Sequence, residues 1–158
     1  MPGDKLRYSA DTSFFINGWR KYYPPGNFPS IWEQVEKLIA TGSFRATIEV
    51  RAELERQDDD VFEWAKNQAG LFLPIDVKIQ NKISEILTQF PNLAKAGSTR
   101  NQADPFVIAL AEINSCAVVS EENMNQNMNA PKIPFVWQTR SIDCIKFIDV
   151  IRREKWKF

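Results

Sequence analysis

The chain has 158 residues, 44% hydrophobic and 25% charged, a balance that suits one globular domain over 1–158 with a core of real size. Twenty basic residues offset twenty acidic ones, so no global field draws the protein to nucleic acid or membrane, and polyanion binding would need a local patch. Histidine is absent, which excludes Ser-His-Asp and Cys-His mechanisms and histidine-ligated zinc, and leaves acid–base or metal chemistry to carboxylates. Cys116 and Cys144 lie in apolar runs without metal-ligand spacing and read as buried free thiols in a reducing cytoplasm. The N-terminus is polar and no apolar run approaches about 18 residues, so neither a signal peptide nor a membrane span is expected.

In chain order, Lys5 to Ala10 is the first expected strand, and Asp11, Thr12 and Ser13 follow it at once. Phe14, Phe15 and Ile16 begin a short helical turn. An aromatic and basic loop comes next, Trp19, Arg20, Lys21, Tyr22, Tyr23, Pro24 and Pro25, stopped by Gly26. Ser30 with Glu33 predicts a capping box for a helix carrying Ile31, Trp32, Val35, Leu38 and Ile39, closed by Gly42. Phe44, Arg45 and Ala46 make a short extended piece before Thr47, which is expected to cap a helix holding Ile48, Val50 and Leu54.

On that helix Glu49 and Glu53 stand one turn apart and repel, so a nearby cation is expected; Arg56 can serve Glu53, and Arg51 can pair with Glu55. The same pattern also reads as a surface charge network. Asp60 and Glu63 open another helix with Val61, Phe62, Trp64 and Ala65, ended by Gly70. Leu71 to Ile75 is expected to be extended, and Asp76 to cap a helix whose Ile79, Ile83, Ile86, Leu87 and Phe90 face the core.

Lys95 to Gln102 is a polar loop leading to Asp104-Pro105, a helix start in which the carboxylate can accept first-turn N–H groups and proline needs none. The body of this helix, Phe106 to Ala111 with Ile113, is apolar on nearly every side and belongs in the interior. Asn114 and Ser115 break it. Cys116, Ala117, Val118 and Val119 suit a central parallel strand that ends at Ser120, Glu121 and Glu122. An asparagine-rich surface loop, Asn123 to Asn129, follows with Pro131 and Pro134 beyond it. A helical turn at Phe135 to Trp137, a strand at Cys144 to Lys146 and a helix from Phe147 to Arg153 complete the chain. No Gly-rich phosphate loop occurs, which argues against nucleotide binding of the P-loop or dinucleotide kind.

Strands alternating with helices imply a parallel sheet whose strand exits share one edge. Asp11 and Glu122 would meet there, with Asp104 at a neighbouring helix start and Glu53 reaching in. Three or four acids without histidine or lysine cannot all stay ionised unless a hard cation neutralises them, and Mg²⁺ or Mn²⁺ held by carboxylates, water and phosphate oxygens is the natural candidate. Phosphodiester hydrolysis is the chemistry that follows.

Tyr8-Ser9-Ala10-Asp11-Thr12-Ser13, Val50-Arg51-Ala52-Glu53-Leu54, Ala103-Asp104-Pro105-Phe106-Val107-Ile108-Ala109-Leu110-Ala111 and Val118-Val119-Ser120-Glu121-Glu122 resemble, in order and spacing, the motif series of PIN-domain nucleases. The segment from Trp19 to Trp32 and the tail from Lys132 to Phe158 resemble a bacterial PIN branch related to VapC-type toxin ribonucleases. The resemblance implies a three-layer α/β/α fold with a central parallel sheet of four to five short strands. It also implies an endoribonuclease, the toxin of a toxin–antitoxin pair, silenced by an antitoxin protein and compatible with a homodimer.

By position, Asp11, Glu53 and Asp104 match the metal-binding acids. Many PIN nucleases carry a late aspartate where this chain has Glu122 in register and Glu121 beside it, which leaves the second metal position open. Thr12 or Ser13 matches the hydroxyl that supports the first aspartate. Trp19, Arg20, Lys21, Tyr22 and Tyr23, with Lys95 and Arg100 near Asp104, are candidate RNA contacts, while Trp19 and Tyr22 read equally as core.

Two alternatives stand beside this. An aspartyl-nucleophile phosphatase also places an aspartate after its first strand, but Ser13 occupies the position of the second aspartate such enzymes use. A degenerate PIN module that binds protein or RNA would show its acids splayed apart or bridged by Arg51, Arg56 or Arg100.

Overall fold

A computed structural model gives the fold and describes residues 5–57, 59–91, 104–122, 139–140 and 142–158, without the side chains of Asp59 and Asp104. The polar loop with Lys95 and Arg100, the asparagine-rich run with Pro131 and Pro134, and the turn at Phe135 to Trp137 lie outside the described residues.

Five short strands, β1 (Tyr8–Ala10), β2 (Phe44–Thr47), β3 (Phe72–Leu73), β4 (Ala117–Val119) and β5 (Cys144–Ile145), form one sheet in the order β3-β2-β1-β4-β5. Every pairing is parallel. The α/β architecture with a central parallel sheet is therefore the one the strand–helix alternation predicts. β1 sits in the middle, flanked by β2 and β4, and its three residues are all buried.

Alternation along β1 sorts the helices onto two faces. Ser9 turns toward α6 (Asp104–Asn114), where its hydroxyl donates to the Val107 carbonyl at 2.8 Å. Val107 to Ala111 are buried in succession, as an interior helix requires, and α5 (Val77–Gln89) packs against α6 with Ile79 and Ile86 in the core. Asp76 caps α5 as expected, accepting from Ile79 N at 2.9 Å.

Tyr8 turns the other way, toward an aromatic wall. There Phe14 of α1 (Thr12–Asn17) stacks on Phe147 of the last helix, α7 (Phe147–Arg153), with centroids 4.3 Å apart, and lies 5.1 Å from Phe44 of β2. Trp32 of α2 (Pro29–Thr41) meets both Phe14 and Phe147, and Trp19 and Trp64 close the wall at 5.0 and 5.1 Å from Trp32. Trp64 belongs to α4 (Asp59–Lys66), which follows α3 (Ile48–Gln57).

Three local expectations are corrected. α2 opens at Pro29 with Phe28 as N-cap and no side-chain cap, so the Ser30–Glu33 capping box does not form. Proline, which has no N–H to leave unpaired and a preset φ, takes the first helical position and shifts the start upstream of Ser30. Thr47 does not cap α3. Its pairing with Leu73 keeps it in β2, and its buried hydroxyl has no hydrogen-bond partner among the described residues. The segment expected to loop from Trp19 instead continues α1 as a π-helical turn, Gly18–Tyr22. Gly42 closes α2 as predicted, at φ 93°, where a side chain would be strained.

Gly18 lets the π turn lie against the wall. A Cβ there would stand 2.9 Å from Cδ2 and Cε2 of the fully buried Phe147. Gly18→Ala is expected to lower unfolding stability by about 1–3 kcal/mol, as overpacking does; urea denaturation reads this directly, and an unchanged midpoint would contradict the close fit.

Candidate functional site

The sheet order reverses at β1: the chain moves outward through β2 and β3, then crosses to β4 and β5 on the other side. Such a reversal opens a crevice beyond the carboxyl ends of β1 and β4, the place where open α/β sheets bind ligands. Asp11 leaves β1 there and Ser120 leaves β4, each still held by the ladder through Asp11 N to Val119 O and Ser120 N to Ile145 O, both 2.9 Å.

Asp11 is 1% exposed. Its Oδ2 accepts from Ser13 Oγ at 2.5 Å, from Ser120 Oγ at 3.1 Å and from Ser13 N at 3.4 Å, so the carboxylate also serves as N-cap of α1. No lysine or arginine among the described residues pairs with it. Burial raises its pKa, and the hydrogen bonds from Ser13 and Ser120 oppose that rise. The same two hydroxyls organise the exit of β4: Glu121 N donates to Ser13 Oγ at 2.9 Å and Glu122 N to Ser120 Oγ at 3.1 Å.

Glu53, on the inner face of α3, is also 1% exposed and accepts from Thr12 Oγ1 at 2.7 Å. It is therefore buried, whereas Arg51 and Glu55, 4.0 Å apart, remain on the surface. Adjacent residues thus divide the work: Ser13 returns to Asp11, and Thr12 reaches across to Glu53. α6 begins at Asp104, one turn before the Val107 carbonyl that Ser9 binds. Because α6 feeds the parallel strand β4, its N-terminus lies at the carboxyl edge, the edge where Asp11 and Ser120 emerge.

Glu121 and Glu122 take different routes. Glu121 Oε1 accepts from Phe147 N at 2.9 Å and thereby caps α7. Glu122, partly buried, and Asp11 both bear on Cys144, whose thiol is pushed up to about 12 chiefly by burial and then by these carboxylates. Burial, opposed by the charge of Lys5, takes Cys116 to about 12 as well, so both cysteines stay protonated and partly buried, in keeping with inert free thiols.

Of the candidate RNA contacts, Arg20, Lys21 and Tyr22 are exposed on the π turn, with Arg20 donating to the Gln57 carbonyl at 3.0 Å and Tyr22 51% exposed. Trp19 instead packs inward on Trp32 and Trp64. Tyr23 rests on Phe147 beside Glu121. Sequence reasoning did not single out Ser120 as a partner of Asp11. The position of Ser120, first residue past the strand beside β1, is the signal that could have found it.

Among the described residues, no three Cys, Asp or Glu side chains form a ready metal-binding group. The donor chemistry nonetheless fits a hard cation. Among the described residues, Asp11 is a buried carboxylate bonded by hydroxyl and amide groups alone, a setting that favours either its protonated form or a bound cation.

Residues 8–158 match the family described as "Domain of unknown function (DUF4411)", and the chain belongs to that family. No curated protein matches the sequence. Among solved structures, the chain is similar to the crystal structure of FitAcB from Neisseria gonorrhoeae, with 14% identity, a TM-score of 0.49, and coverage of 89% of this chain and 98% of that one.

The raised Asp11 pKa fixes a sign. A carboxyl group whose folded pKa exceeds its unfolded value contributes stability that is fully present below the ordinary carboxylate range and is lost as pH rises through the folded pKa. Asp11→Asn is therefore expected to melt higher than the wild type at pH 7 in EDTA, with the gap closing toward about pH 4. Calorimetry at the two pH values checks this, and an equal gap at both would contradict it.

Proposed function

We propose that this protein is a metal-dependent endoribonuclease that hydrolyses RNA phosphodiester bonds at the carboxyl edge of its sheet, with Mg²⁺ or Mn²⁺ as cofactor. The observation that carries the proposal is the Asp11 carboxylate, buried at the switch point of the sheet without a cationic partner among the described residues, one residue from the hydroxyl that binds a second buried acid, Glu53. The resemblance of the four motifs to PIN-domain nucleases supports the same reading.

Asp11, Glu53, Asp104 and Glu122 are the residues that would hold the cation, with Glu121 committed to capping α7 and therefore the weaker candidate for the fourth acid. When bound, a divalent ion supplies the charge that polarises the phosphate and makes water a competent nucleophile near neutral pH. Ser13 and Ser120 orient the Asp11 carboxylate by occupying Oδ2, and Thr12 fixes Glu53. Arg20, Lys21 and Tyr22 offer cations and an exposed ring to an RNA strand. The likeness of the sequence to toxin ribonucleases supports a role as the toxin of a toxin–antitoxin pair, held inactive by an antitoxin protein.

Incubation of a single-stranded RNA pool with the purified protein and Mn²⁺ tests the proposal. Cleavage is expected for the wild type, none for Glu53→Gln or Asp104→Asn, and none in excess EDTA; cleavage that survives either acid substitution or chelation would refute it. Ser13→Ala, which removes an orienting hydroxyl and leaves the four acids intact, is expected to lower the rate by about 10–100-fold.

A further inference from the structure

Among the described residues, the buried hydroxyls find partners with one exception. Ser9 donates to the Val107 carbonyl, Thr12 to Glu53 and Ser120 to Asp11, and Ser43 pairs with Thr41. Thr47 is fully buried, and its hydroxyl alone has no hydrogen-bond partner. A buried hydroxyl left in this way costs stability, whereas valine, branched in the same manner and equally at home in a strand, would fill the position without that cost.

Thr47 stands beside the first acid. Tyr8 and Ser9 of β1 pair with Phe44 and Arg45 of β2, so two residues further on Asp11 is level with Thr47, the last residue of β2. On the other side Ala10 pairs with Val119, which sets Asp11 level with Ser120. Asp11 keeps an extended backbone, at φ −85° and ψ 158°, so its side chain leaves on the face that Ser9 uses, toward α6. Residues level across parallel strands share a face, and the 3.1 Å bond from Ser120 to Asp11 follows that rule on the β4 side. Thr47 is the counterpart on the β2 side, at the strand end from which α3 carries Glu53 into the interior.

Ser120 is satisfied by the carboxylate it flanks, and Thr47 is not. Mg²⁺ and Mn²⁺ held by a few carboxylates keep several waters, and a neutral hydroxyl next to the acids is a suitable partner for one of them. We propose that Thr47 is a positioning residue of the cation site, its hydroxyl hydrogen-bonding a water that enters with the ion. This rests on the metal-dependent reading of the same edge and adds a residue that lies outside all four motifs.

Calorimetric titration with Mn²⁺ at pH 7, on the wild type, Thr47→Val and Thr47→Ser, together with melting of each in EDTA, tests the assignment. Thr47→Val is expected to bind Mn²⁺ about tenfold more weakly than the wild type, and without metal to melt at or above the wild-type temperature. Thr47→Ser is expected to restore the affinity. Equal Mn²⁺ affinity of the wild type and Thr47→Val overturns the proposal. So does a Thr47→Val variant that melts well below the wild type in EDTA, because the hydroxyl would then serve the fold whether or not metal is present. RNA cleavage with Mn²⁺, measured alongside, divides the two readings. Wild-type Mn²⁺ binding that Thr47→Val leaves unchanged removes Thr47 alone; hydroxyl-dependent binding without cleavage removes the nuclease and keeps the role of Thr47; no binding by the wild type removes both.

Discussion

A carboxylate withdrawn from water, with no positive group beside it among the described residues, is the constraint on which the carboxyl edge depends. Asp11 follows the central strand directly, so its backbone cannot move away without breaking the ladder to Val119. The sequence meets that demand locally with hydroxyls. Ser13 supplies one from the first turn of α1 and Ser120 another from the neighbouring strand. Both serines then accept the amides of Glu121 and Glu122, so the path by which β4 leaves the sheet is tied to the ionisation of one buried acid. Stability and charge placement are coupled at this point, and a divalent ion would relax the first by satisfying the second.

The aromatic wall makes that edge rigid. Phe14 stands three residues after Asp11 and stacks on Phe147, which α7 presents in its first turn. Phe147 also donates its N–H to Glu121, so one residue joins the wall to the exit of β4. Small displacements of the wall would therefore be felt at the acids. Gly18 sits where this coupling is tightest, because the π turn approaches the Phe147 ring more closely than any side chain would permit.

Much of the fold was legible because its signals are local. The strand–helix alternation, the Asp76 cap, the Gly42 stop and the all-round apolar α6 each follow from a few neighbouring residues, and each is observed. Failures occurred where distant contacts overrode a local pattern. Thr47 reads as a cap until β3 pairs with it, and the basic aromatic stretch reads as a loop until Phe147 and Trp32 hold it as a π turn. At the site, Asp11 was recognisable as an acid leaving a strand and Glu53 as an acid within a helix, but their burial was not, since Glu53 shares its helix with the surface pair Arg51 and Glu55. Ser120 and Glu121 acquire their partners only when residues more than 100 and 25 positions away fold beside them.

The outer strands have a consequence for assembly. β3 and β5 bound the sheet with two residues each, and both run parallel to their neighbours. A foreign strand laid along either edge would find little ladder to extend, which discourages both fibril-like growth and capture of a peptide by strand addition. Among the described residues, recognition is then left to side chains, where point substitution can alter specificity without disturbing the sheet.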